Sequence, residues 1–329
     1  MAGATPPPGA GAPPDPRPIG EDPPEPVGAP AAPSDPTPSA APDTAAPAAV
    51  PPGTPPGPPP ASGARRTDRW QDFLPRFVSG AVLALVGLVC IWLGGWVFLA
   101  LVTLVIALMV WELQHIVSLP QTAPVGVLLA GLAGLAVFLW GVLPIGFVLP
   151  FALLPAMLGI GNLPQNRTLF AVYSSFMILA GFGLLHLRQD YGFAWLLWLV
   201  LVVVATDVFG YFAGRIIGGP KFWPKVSPKK TWSGTTAGWI AAALVGVAFV
   251  LATGARWELV GVSVAVSMAS QLGDVTESAL KRRMGVKDSS NLIPGHGGVM
   301  DRFDAMLGAS VFLLLVERLV DFNLVVLGL

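Results

Sequence analysis

Of 329 residues, 53% are hydrophobic and only 12% charged, which excludes an ordinary soluble domain and makes a membrane protein the expectation. The formal net charge is zero, but acids and bases are segregated along the chain, so local charge is what a partner meets, and no nucleic-acid partner is expected. Cys90 is the single cysteine and lies in an apolar run, which excludes an intrachain disulfide and a thiolate metal cluster.

Residues 1–66 are rich in Pro, Ala and Gly. Up to residue 63 they hold no Leu and no aromatic, too little apolar surface to offset the entropy of ordering. A disordered cytoplasmic tail is expected there. Arg17 is the only base before residue 63 and no apolar stretch follows it, so the tail does not read as a signal peptide. Residues 67–329 form the second expected domain. From Phe77 onward apolar runs alternate with short polar breaks, and a bilayer core of ~30 Å takes about 20 helical residues per crossing. The uncharged stretch from Phe77 to Trp111 is too long for one helix, and Gly94-Gly95 predicts a tight turn between two spans. The run from Ala123 to Gly161 divides in the same way between Gly141 and Pro144. Further spans are predicted over 169–187, 193–213, 235–252, 257–280 and from Phe303 onward. The predicted fold is therefore an all-α, polytopic integral membrane protein with about nine transmembrane helices, preceded by the disordered tail.

Lys and Arg in short connections favour the cytoplasmic side. With nine spans, the bases before the first span, those between the sixth and seventh and those between the eighth and ninth fall on one face; the other face offers only Arg188 and Arg256. The N-terminus is accordingly expected in the cytoplasm.

Two of these cytoplasmic segments hold most of the unusual residues. The first, TDVFGYFAGRIIGGPKFWPKVSPKKTWSGTTAG, runs from Thr206 to Gly238 with five bases, one acid and several Gly and Pro breaks, whose free backbone N–H groups suit anions. The second begins in the eighth span. Read as a helix, SMASQLGDVTESALKRR puts Asp274, Glu277, Ser278 and Lys281 on one face, which Gln271 and Ser267 continue into the apolar part. A carboxylate within a membrane helix costs roughly 2.5–3.5 kcal/mol near the centre, so it reads as functional. A Glu277–Lys281 ion pair accounts for Glu277 and leaves Asp274 unexplained. Asp301 and Asp304 open the ninth span, where the helix dipole favours carboxylates. Carboxylates from two adjacent helices among bases and glycines suit Mg²⁺ holding a phosphorylated substrate, because Mg²⁺ takes one or two carboxylates and leaves its other positions to phosphate and water. His296, flanked by glycines, reads as a donor to phosphate.

The order Ser278, Leu280, Lys281-Arg282, Lys287-Asp288, Ser290, Ile293-Pro294, His296-Gly297-Gly298, Val299, Asp301-Arg302, Phe303, Asp304 resembles the signature of the phosphatidate cytidylyltransferases, also called CDP-diacylglycerol synthases. Ser227-Pro228-Lys229-Lys230-Thr231-Trp232 followed by Gly234 is similar to that family's second recurring element. Asp207 with Gly210-Tyr211-Phe212 and Gly214-Arg215 is similar to the stretch before it. Ser233 stands where family members often carry an acid. The resemblance covers roughly residues 70–329.

The resemblance implies transfer of a cytidylyl group from CTP to phosphatidate, giving CDP-diacylglycerol and pyrophosphate for phospholipid synthesis. It implies Mg²⁺, with or without a monovalent cation, held by Asp274 and Asp301, and a homodimer in the bacterial cytoplasmic membrane with its site facing the cytoplasm among membrane lipids. The expected catalytic residues are Asp274, Asp301 and Lys281. Ser227, Lys229, Lys230, Ser278, Arg282, Lys287, His296, Gly297, Gly298 and Arg302 are the expected substrate contacts. The competing reading is a secondary transporter or ion pathway with Asp274 and Glu277 as intramembrane coupling sites, although no internal repeat is visible.

Overall fold

The computed structural model describes residues 66–118, 122–293 and 297–319, so the expected tail up to residue 65 and His296 lie outside the described residues. All of these residues belong to one unit that begins at Gly63. Nine α-helices occur among them: α1 (Arg66–Leu93), α2 (Gly95–Val117), α3 (Ala123–Val142), α4 (Ile145–Asn162), α5 (Arg167–His186), α6 (Phe193–Ile216), α7 (Trp232–Thr253), α8 (Glu258–Arg283) and α9 (Met300–Leu319). Six segments, built on α2, α3, α5, α6, α7 and α8, are long and apolar enough to cross a membrane; Gly146–Asn162 of α4 and Gly80–Leu93 of α1 are shorter apolar helices. The protein is an all-α integral membrane protein at this level. At 1.5 Å per residue the 23 residues of α2 reach about 34 Å, enough for the hydrocarbon core.

The predicted breaks coincide with local backbone chemistry. Gly94 and Gly95 both have positive φ, 64° and 48°, a conformation that suits glycine and turns α1 into α2. Pro144 separates α3 from α4, and Pro150 and Pro155 lie inside α4. A π-helical turn, Leu187–Tyr191, joins α5 to α6.

The connection between α6 and α7 departs from helix to form strands. Between α6 and α7 the chain forms a hairpin of β1 (Lys221–Trp223) and β2 (Ser227–Thr231), antiparallel, with Lys221 opposite Thr231 and Trp223 opposite Ser227. Its base is held by Trp232 N–H donating to Pro220 O at 3.1 Å and by Ser233 Oγ donating to Gly218 O, while the Phe222 and Trp232 rings meet edge-on at 4.9 Å. Thr231 then starts α7 by accepting from Gly234 N–H at 3.2 Å, a side-chain N-cap.

Two helix pairs pack backbone to backbone through small residues, as membrane helices do when little apolar driving force separates them from lipid. A Cβ on Gly234 of α7 would stand 2.5 Å from Gly210 O of α6. A Cβ on Gly308 of α9 would overlap Ala269 O and stand 2.9 Å from Gly273 Cα of α8. The first lies one turn from Asp207 on α6, and the second holds α9 against α8 next to Asp274.

Candidate active site

Two cavities differ in chemistry. One, of about 360 Å³, lies among α1, α2, α5, α6 and α9 and is lined by aliphatic and aromatic side chains such as Leu83, Val105, Val200 and Phe303, with nothing to bind an anion. The other, of about 540 Å³, is polar. It is lined by Asp207, Gly210 and Arg215 of α6, Lys229 and Lys230 of β2, Thr235 of α7, and Gln271 and Asp274 of α8. The hairpin therefore delivers two ammonium groups to the face of α8 on which the carboxylates lie.

That face forms as its spacing predicts. Ser267 Oγ accepts from Thr206 Oγ1 of α6 at 2.7 Å, and Gln271 bridges α7, accepting from Trp239 Nε1 at 3.0 Å and donating to Thr235 O at 3.2 Å. One turn further, Asp274 Oδ2 lies 2.5 Å from Lys230 Nζ and its Oδ1 accepts from Ser278 Oγ at 3.2 Å. Glu277, only 4% exposed, has Lys281 Nζ at 2.5 Å, so the i, i+4 ion pair does form. Lys281 reaches across to α9 as well, donating to Asp301 Oδ1 at 2.6 Å.

Asp301 organises the connection between α8 and α9. Its Oδ2 accepts from Ser289 N–H at 2.9 Å, Ser289 Oγ at 2.9 Å and Gly298 N–H at 2.8 Å. Gly297 has φ 84°, and a Cβ there would stand 2.8 Å from the same oxygen, so glycine both permits the bend and leaves room for the carboxylate. Asp301 lies ahead of the apolar part of α9. Partial burial would push its carboxyl up, but the Lys281 ammonium and the Gly298 and Ser289 amides outweigh that and hold it at about 2. These contacts favour its charged form.

Asp207, Asp274 and Asp304 come from three helices and lie within electrostatic reach of one another; Glu277 is within reach of Asp301 and Asp304. Lys230 is paired with Asp274, and Lys281 with both Glu277 and Asp301, so these acids are only partly neutralised. Hard oxygen donors carrying excess negative charge fit a hard divalent cation. No cluster of three or more His, Cys, Asp or Glu able to enclose a metal occurs among the described residues, so such a cation would draw its remaining ligands from substrate and water.

Among the expected contacts, Lys229, Lys230 and Asp274 share the polar cavity, and Ser278 adjoins Asp274. Lys281, Gly298 and Asp301 form the adjacent α8–α9 network, with Gly297 bending the chain against it. Ser227 sits at the far end of β2 opposite Trp223, and Arg282, Lys287 and Arg302 are exposed around the connection. Ser233, in the place of the family's frequent acid, ties the hairpin base to Gly218.

Sequence reasoning left Glu112 unnoticed. This α2 carboxylate is fully buried and accepts from Ser290 Oγ at 2.6 Å, Met300 N–H at 2.7 Å, Val299 N–H at 2.9 Å and Ser289 Oγ at 3.1 Å. A lone acid in the apolar run around Trp111 was the available signal, since a carboxylate inside a membrane helix requires a partner. Asp207 was visible only as part of a motif, and it lines the cavity with Lys230 and Asp274.

Residues 74–320 match the model of the cytidylyltransferase family. A protein named phosphatidate cytidylyltransferase from Brucella abortus biovar 1 is 36% identical over 252 residues, covering 73% of this chain and 91% of the relative. One of the same name from Staphylococcus saprophyticus is 38% identical over 141 residues, covering 42% of this chain and 54% of the relative. With a matching model over most of its length, a relative spanned nearly end to end, and lysines and carboxylates brought to one polar cavity, the chain belongs to the cytidylyltransferase family.

Proposed function

We propose that the protein is a phosphatidate cytidylyltransferase, converting CTP and phosphatidate to CDP-diacylglycerol and pyrophosphate. The observation that carries this reading is the polar cavity in which Lys229 and Lys230 face Asp274 at the end of a membrane helix, the depth at which a lipid phosphate sits. A phosphatidate oxygen, already anionic near neutral pH, attacks the α-phosphorus of CTP; the new P–O bond forms as the bond to the oxygen bridging to the β-phosphorus breaks, and pyrophosphate leaves with that electron pair. No strong general base is needed. The demands are in-line alignment and charge neutralisation between two polyanions.

Asp274 and Asp301 would hold Mg²⁺, which supplies charge neutralisation at the substrate phosphates when bound, with or without a monovalent cation. The chain's own cations do the rest. Lys230 exchanges Asp274 for the triphosphate, with Lys229 beside it. Lys281 keeps Asp301 and Glu277 in place. Arg282, Lys287, Arg302 and His296 meet the outer phosphates, with Ser227, Ser278 and the Gly297 and Gly298 backbone completing the contacts.

In this reading the domain of residues 67–329 crosses the bacterial cytoplasmic membrane nine times with its site facing the cytoplasm, and assembles as a homodimer. The matched relatives carry transferase names, which lends the transporter reading no support. Purified protein supplied with Mg²⁺, CTP and phosphatidate should form CDP-diacylglycerol with stoichiometric pyrophosphate. Absence of both products, with Mg²⁺ saturating, would remove the assignment.

A further inference from the structure

We propose that Glu112 is a positioning residue of the transferase site, holding the α8–α9 connection so that Asp301 and Lys281 keep their geometry; the inference rests on the function proposed above. A carboxylate taken fully out of solvent loses hydration worth several kcal/mol, and such groups persist where donors replace the water. Around Glu112 stand two hydroxyls and two amides, the amides being Val299 and Met300 at the head of α9, and Ser289 shares its single hydroxyl proton between Glu112 and Asp301. The first N–H groups of a helix have no partner within it and carry the positive end of its dipole, so a buried anion there satisfies both sides.

The contact reaches the site through one residue. Ser289 Oγ lies 3.1 Å from Glu112 Oε2 and 2.9 Å from Asp301 Oδ2, and Ser289 N–H donates to the same Asp301 oxygen. Asp301 in turn fixes Lys281, and Lys281 fixes Glu277. A continuous line therefore runs from α2 through the connection to α9 and back to α8. Gly298 shows how closely the connection wraps the acid: a Cβ there would overlap Ser289 Oγ and stand 2.6 Å from Glu112 Oε1. Since Glu112 already occupies the amides of Val299 and Met300, those amides are not available to substrate phosphate. Its contribution is to hold the connection, with no direct hold on the nucleotide.

The test is a double-mutant cycle between Glu112→Gln and Ser289→Ala, assayed for CDP-diacylglycerol formation. Glutamine keeps the length of the side chain but turns one of the two acceptor positions into a donor. Glu112→Gln should lower kcat at least tenfold with KM for CTP changed less than threefold. Ser289→Ala should lower kcat several-fold, and the double variant should be little worse than Glu112→Gln alone, because both act through one line. Hydrogen exchange of the amides over residues 297–301 should quicken at least tenfold in Glu112→Gln. Wild-type kcat in Glu112→Gln, losses that multiply in the double variant, or unchanged exchange would each overturn the proposal. Should Glu112→Gln fail to fold, Ser289→Ala decides alone: reduced kcat with unchanged KM for CTP supports the relay and wild-type kcat sinks it. A wild-type protein that makes no CDP-lipid would defeat the proposed function, and quickened exchange in the variant would still show the tether.

Discussion

Lys230→Ala offers the most discriminating perturbation, because it should move two affinities in opposite directions. Lys230 Nζ lies 2.5 Å from Asp274 Oδ2, with the two side chains 26% and 28% exposed. A pair of that exposure falls between surface ion pairs at about 0–1 kcal/mol and buried pairs whose disruption costs about 3–5 kcal/mol, so about 2 kcal/mol is a fair value. At 1.4 kcal/mol per factor of ten this is roughly thirtyfold. If Asp274 holds Mg²⁺ as proposed, the ammonium competes with it in the nucleotide-free protein, and its removal should tighten Mg²⁺ binding by up to that factor. On the proposed function the same ammonium passes to the triphosphate once CTP binds, so KM for CTP should rise by a similar factor. Calorimetric Mg²⁺ titration without nucleotide reads the first effect, and CDP-lipid formation at saturating Mg²⁺ reads the second. Weaker Mg²⁺ binding in the variant, or an unchanged KM for CTP, would refute the exchange of Lys230 between Asp274 and the nucleotide.

Asp274→Asn and Asp301→Asn should each lower kcat by roughly 100-fold, the scale of removing one preorganised electrostatic group; normal turnover in both would discard the shared-cation assignment. Asp301, held at about 2, is depressed below the usual carboxylate value, so its stabilising contribution is present above about pH 4 and is lost only as the pH falls toward 2. Asp301→Asn should accordingly lower the plateau of a pH–rate profile without moving an acid limb above pH 4, and a displaced limb would show that the charge is not fixed. Gly308→Ala should cost about 1–3 kcal/mol through overpacking against Ala269 and Gly273, read as a lower unfolding temperature in detergent. A wild-type unfolding temperature would mean that α8 and α9 do not meet at that distance.

What the sequence made legible was mostly local. Gly94-Gly95 and Pro144 mark turns because positive φ and a missing N–H act on the residue that carries them. The α8 face was readable because i, i+3 and i+4 positions share a side of a helix whatever surrounds it. The hairpin over 221–231 was not foreseen: its strands have three and five residues, and Pro228 and the lysines give no alternating apolar pattern. Asp301 shows a different limit. Its position at the head of α9 was evident, but its hold on Ser289 and Gly298 depends on the path of a connection with no regular repeat. Glu112 is the extreme case, since its partners lie 177 to 188 residues later and periodicity cannot reach that far.

That separation has a consequence for how the protein is made. A ribosome adding about 5–20 residues per second needs some ten to forty seconds to pass from Glu112 to Met300, 188 positions later. Throughout that interval α2 carries an acid whose final donors do not yet exist, and it must wait near the membrane surface, be solvated by the insertion machinery, or borrow temporary partners. The site is then assembled last, when α9 arrives and its opening amides meet the acid. A nascent chain interrupted before that point would hold Lys230 and Asp274 but lack Asp301, so a stalled precursor should be catalytically silent.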